Sequence, residues 1–108
     1  MKYLITESQF DKVIFKYLDN QDFIQINSGD NIFFVNSEGD EYAQIRFYKK
    51  NGWCFIYYKL IEEISTFFSL SSEDSKDIIG KWLENTLQMK VTGITRAAMA
   101  ANLLVENT

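Results

Sequence analysis

Asp30, Glu38, Asp40 and Glu41 are the carboxylates closest to a metal-site spacing, because Mg2+ and Ca2+ take several oxygen ligands from one or two loops. Their order does not match the Asp-x-Asn-x-Asp-Gly run of a calcium loop, and Gly29 and Gly39 mark both stretches as turns. Solvated turns account for them, and an enzyme using them with a metal is the competing reading. Nucleophilic chemistry has less to draw on. Histidine, the commonest general base and metal ligand, is absent, and the single cysteine, Cys54, makes neither an internal disulfide nor a thiolate cluster. Its place in an alternating strand pattern predicts a core-facing, inert thiol. The five glycines are scattered, so no phosphate loop forms. Ser69 to Ser75 has the look of an acid-directed phosphorylation site, but a helix cap explains the same residues. The expectation is a non-enzymatic protein with no cofactor and no metal.

Recognition chemistry is better represented. Between Tyr42 and Tyr58 lie seven aromatic residues, with Asn51-Gly52 in the middle. Asn-Gly is the strongest short hairpin signal, since a type I′ turn needs positive φ at both central residues. Pairing Lys50 with Trp53 then sets Tyr48 against Phe55 and Arg46 against Tyr57 on one face, with Phe47 against Ile56 and Ile45 against Tyr58 on the other. One face is Ile32, Phe34, Ala43, Ile45, Phe47, Cys54, Ile56 and Tyr58, a core face. The other holds Phe33, Val35, Tyr42, Gln44, Arg46, Tyr48, Trp53, Phe55 and Tyr57. Tyr, Trp and Arg dominate binding hot spots, so Tyr42, Arg46, Tyr48, Trp53 and Tyr57 are the candidate contact residues. The face has three candidate covers: the chain's own helix or tail, a second copy, or a foreign partner.

Charge narrows the partner. The net charge is −4 and the pI about 4.7, which disfavours nucleic acid, whose affinity comes mainly from Lys and Arg on phosphates. Single-stranded nucleic acid stacked on the aromatic face remains the alternative. The longest apolar runs are a few residues, so no membrane span and no signal peptide is expected, and the cytoplasm is the expected location.

The positioning elements follow from periodicity. Thr6 and Gln9 have capping-box spacing, and Phe10, Val13, Ile14, Tyr17 and Leu18 form one stripe, predicting a helix over Glu7–Asp19 with Phe15 off the stripe. Leu4 and Ile5 precede it as a staple or a short strand. Phe23–Ile26, Ile32–Val35, Tyr42–Lys49 and the arm after Gly52 read as an antiparallel meander. Leu60, Ile61, Ile64, Phe67 and Phe68 predict a helix over Lys59–Ser69. Ser71 or Ser72 caps another, with Ile78, Ile79, Trp82, Leu83 and Leu87 buried. Gly80 inside it predicts close helix approach. From Val91 charge thins out, and an alanine-rich tail remains that covers part of the sheet, swaps onto a second protomer, or is a disordered end.

The opening Met1-Lys2-Tyr3-Leu4-Ile5-Thr6-Glu7-Ser8-Gln9 resembles the MKxLITESQ start of small uncharacterised proteins from tailed-phage genomes, especially marine ones. Trp82–Val91 is similar to the end of such proteins. The resemblance implies a viral source, hence the host cytoplasm, and carries no site residue. Together these readings predict an α+β fold: an N-terminal amphipathic helix, a three- to four-stranded antiparallel meander, two C-terminal helices and an apolar tail. Residues 1–91 form the domain and 92–108 the tail, helical or partly disordered. The expected role is binding a protein partner, as a phage-type adaptor, chaperone or inhibitor and as a homodimer; a virion structural component fits equally. Acidic dimeric secretion chaperones share this mix of elements by analogy.

Overall fold

The computed structural model describes residues 7–37 and 39–103. The proposed cap at Thr6, the staple residues Leu4 and Ile5, the carboxylate Glu38 and the tail beyond Leu103 lie outside the described residues. The first helix, α1, spans Glu7–Asp19, as its stripe predicts. Its buried sector is centred on Ile14 and Leu18. Phe15, one 100° step to one side, packs on the core, whereas Val13, one step to the other, is exposed, the reverse of the expected stripe.

Two strands, β1 (Ile24–Ser28) and β2 (Asn31–Val35), form a hairpin around Gly29-Asp30. Gly29 takes φ 58°, the Gly-first pattern of tight hairpins. The next stretch is not one strand. A short β3 (Tyr42–Ala43) is separated from β4 (Ile45–Tyr48) at Gln44, whose N–H donates to the Phe34 carbonyl while its own carbonyl accepts from Tyr57 N–H. This break lets β3 leave the sheet, and Ala43 consequently packs with Phe33 and Val35 on the face opposite the one expected.

β5 (Trp53–Tyr57) pairs with β4 in a register two residues from the expected one: Tyr48 opposes Trp53, Arg46 opposes Phe55 and Ile45 opposes Ile56. The loop is therefore 49–52, and only Gly52 has positive φ, at 75°. Asn51 is used differently: its side-chain carbonyl accepts from Trp53 N–H at 2.9 Å. The tip is also gripped from outside. Lys49 N–H donates to the Asp30 carbonyl, Lys50 pairs with Asp30 at 3.4 Å, and Thr92 donates through its N–H to Gly52 and through its hydroxyl to Asn51. These tertiary contacts select the wider loop. A shift of two conserves side-chain parity, so β4 and β5 keep their two faces as read from alternation, except that Tyr58, expected opposite Ile45, instead begins the next helix.

Two helices follow, α2 (Tyr58–Phe68) and α3 (Ser72–Leu87). Ser71 caps α3 by accepting from Asp74 N–H at 3.1 Å. The hydroxyl of buried Ser75 joins that of half-buried Ser65 at 2.8 Å, linking the two helices. The chain then returns as β6 (Gly93–Ala97), parallel to β5, with α2 and α3 as the long crossover a parallel pair requires. Gly80 does permit a close approach, but to this strand: a Cβ there would strike the Ile94 side chain.

The tail was expected to be helical or disordered, and over Gly93–Ala97 it is instead a strand of the main sheet, followed by a two-residue β7 (Ala101–Asn102) against β3. The result is α+β, with three helices on one face of a mostly antiparallel sheet of order β1-β2-β4-β5-β6. The sheet has five strands where three or four were expected. Its core lies between sheet and helices, where Ile32, Phe34, Ile45, Phe47, Cys54 and Ile56 meet Leu18, Ile61, Ile64, Ile79, Trp82 and Leu83. The Trp82 indole N–H donates to Asp19 at 2.9 Å, tying α3 to the end of α1. Among the described residues no helix is long and apolar enough to cross a membrane.

Candidate functional site

The face turned away from the helices carries the candidate contact residues, and β6 completes it. Parallel register sets Gly93, Thr95 and Ala97 beside Trp53, Phe55 and Tyr57. Trp53 lies where a Cβ on Gly93 would enter its ring, and its indole N–H donates to Thr95 Oγ1 at 2.6 Å. The ring is thus fixed in place while still 38% exposed. Arg46, opposite Phe33 on β2 and Phe55 on β5, donates from Nε to Asn31 Oδ1 at 3.0 Å. Its guanidinium carbon lies 5.1 Å from the Phe55 ring centre and 6.0 Å from that of Tyr48. Cation–π contacts of this kind hold the planar group against the sheet.

The other end of the face is covered by the chain's own tail. After Ala97 the backbone turns back, β7 pairs Asn102 with Tyr42 and Ala101 with Ala43, and Leu103 N–H donates to the Glu41 carbonyl at 2.8 Å. Leu103 buries itself with Phe33, Val35 and Ala43, and Ile24, Ile26 and Ala101 flank that cluster. Residues 98–103 therefore act as a strap across one end of the sheet. Between strap and sheet is an open cavity of about 510 Å3. Gln44, Arg46, Phe55 and Tyr57 line its sheet side, Tyr42 and Ala43 one wall, and Ala97 and Met99–Asn102 its roof.

Of the five sequence-derived contact residues, Tyr42, Arg46 and Tyr57 line this cavity, whereas Trp53 and Tyr48 do not. Tyr42 belongs to β3, outside the main sheet, and is 51% exposed. Phe55, Thr95 and the strap are functional candidates that the contact set omits. Phe55 alternates onto the same face, and Val91-Thr92-Gly93-Ile94-Thr95 has the β-branched composition of a strand.

The chemistry weighed at other positions has structural explanations. Asp40 accepts from the Ser37 N–H and hydroxyl, both at 3.0 Å, shaping its own turn, and Asp30 is paired with Lys50. Among the described residues no group of His, Cys, Asp and Glu is placed to hold a metal ion. Cys54 is fully buried, and burial pushes its thiol up to about 12. Ser71 serves as the helix cap. No protein-family model matches this chain, and neither a curated protein nor a solved structure is found to be similar to it.

Proposed function

We propose that this chain is a non-enzymatic binding protein, a phage-type adaptor, chaperone or inhibitor, which holds a protein partner on the face opposite its helices and works as a homodimer in the host cytoplasm. The observation that carries the reading is Trp53, an exposed indole immobilised by Gly93 and Thr95. A pre-ordered aromatic loses little conformational freedom on binding, which is the property of a hot-spot anchor. Arg46 and Tyr48 stand beside it, and Tyr42 and Tyr57 continue the surface toward the strap.

Self-association has a separate support. The outer strand β1, Ile-Gln-Ile-Asn-Ser, carries no charge and no proline, the devices that block strand addition. Light scattering should give a dimer, and Gln25→Lys should shift it to monomer. A wild-type monomer at micromolar concentration removes that part. For the partner, capture from host lysate followed by titration of the captured protein should show binding that weakens at least about tenfold, or roughly 1.4 kcal/mol, in Trp53→Ala and in Arg46→Ala. Unchanged affinity in both variants removes this face as the site. Single-stranded nucleic acid is the second reading, favoured by Arg46 lying over Phe55 and opposed by the net charge. It requires oligonucleotide affinity that falls steeply with salt.

A further inference from the structure

We infer that the cavity beneath the strap is a small-molecule site, taking one uncharged, largely apolar ligand with a planar ring. Its volume, about 510 Å3, falls within the roughly 300–1,000 Å3 of ligand pockets. Packed interiors leave few voids larger than a water molecule, and large side chains along the inner side of the strap would take up much of this space. The chain instead has Ala100 and Ala101 there, facing a floor of Phe55 and Tyr57; Met99 stands at the rim, 79% exposed, and Leu103 at the end seals against Phe33 and Val35.

Charge selects the class of ligand. Fifteen acidic residues occur in the chain, yet among the described residues no carboxylate lines the cavity. Arg46, the one charged lining residue among those described, is bonded to Asn31 and lies over Phe55. A cation would leave water without a counter-ion, and an anion would have to draw the guanidinium away from Asn31 and Phe55 to pair with it, costs that an uncharged ring avoids. Aromatic walls favour a planar body, and the Gln44 amide with the hydroxyls of Tyr42 and Tyr57 supplies the few polar groups that orient such ligands. Occupancy would also join sheet to strap across the two-residue β3–β7 ladder, so the ligand should raise thermal stability. The inference does not depend on the protein partner, because Trp53 is not part of the lining.

The test is titration of the full chain with phenylnaphthylamine, a neutral fluorescent probe, beside anionic anilinonaphthalene sulfonate. The neutral probe should bind saturably at one site per chain and raise the melting temperature. Ala100→Phe, which puts a ring into the space a ligand would take, should weaken it at least about tenfold, whereas Trp53→Ala should leave it within about twofold. The anionic probe should bind about tenfold more weakly than the neutral one. Absence of saturable binding, unaltered binding to folded Ala100→Phe, or a preference for the anion overturns the inference. Should Ala100→Phe fail to fold, methyl NMR of the wild type decides. Shifts confined to Ala97, Met99, Ala100 and Ala101 support the site, and shifts centred on the exposed Val13 or Met89 overturn it.

Discussion

The two faces of this sheet are made by the same strands, and they differ in what lies against them. On one, helices of 13, 11 and 16 residues press Ile14, Leu18, Ile61, Ile79 and Leu83 onto Phe34, Ile45, Phe47 and Ile56, all fully buried. On the other, a strap made largely of alanine seals one end through Leu103 and leaves Trp53 and Tyr42 open to solvent. Long amphipathic elements supply side chains at every position over a sheet and close it. A short strap of small side chains closes only where it carries a large one. Stability is accordingly concentrated on the helix side, and the space for binding on the strap side.

The largest effect should come from Phe47→Ala, which opens a cavity under the helices and should cost about 3–5 kcal/mol in urea unfolding. A cost no greater than that of a strap substitution would erase the distinction between the faces. Leu103→Ala should cost about 2 kcal/mol, the low end for such a change, because the strap can relax. Amide exchange should speed up in β3 and β7 while β2, β4 and β5 stay protected. Uniform loss of protection would mean that strap and core form one cooperative unit. Ser71→Ala, on the helix side but at a surface cap, should cost about 1 kcal/mol. A cost below a few tenths would show that the cap contributes nothing to that side.

The smallest effect at neutral pH concerns Cys54. Its thiol ionises near 9.0 in the unfolded chain and is held up to about 12 by burial in the folded one. The folded state therefore binds more protons across that window, and the thiol's contribution is intact below pH 9 and lost as pH rises toward 12. Cys54→Ala should show a shallower alkaline decline than wild type, and at pH 8 a thiol reagent should label the native protein no faster than it unfolds. Rapid labelling would place Cys54 outside the closed face.

Much of the closed side could be read from periodicity, since the 3.6-residue stripes place Leu60, Ile61 and Ile64 on α2 and Ile78, Ile79, Trp82 and Leu83 on α3, all buried, although Phe67 on the same α2 stripe is exposed. The aromatic character of the opposite face was equally legible, because alternation survives a two-residue change of register. The cavity was not. It depends on the chain leaving the sheet at Gln44 and returning through β7 more than fifty residues later, and no local pattern records that meeting. Gly80 and Gly93 show the same limit: each is a glycine because a distant side chain, Ile94 or Trp53, occupies the space of its Cβ.

Local sequence thus set the helices, the existence of the hairpins and the division of rings from aliphatics, because these arise from spacing along one stretch of chain. Tertiary structure decided the register at Asn51-Gly52, the parallel placement of Gly93–Ala97 and the strap over the aromatic face. Each of these arises from contacts between segments far apart in the chain. Thr92 and Asp30 hold the hairpin tip open, Trp53 receives Gly93, and Tyr42 and Ala43 offer backbone partners to Asn102 and Ala101. An alanine-rich segment favours helix by itself, and here the available hydrogen-bonding edges overrode that preference.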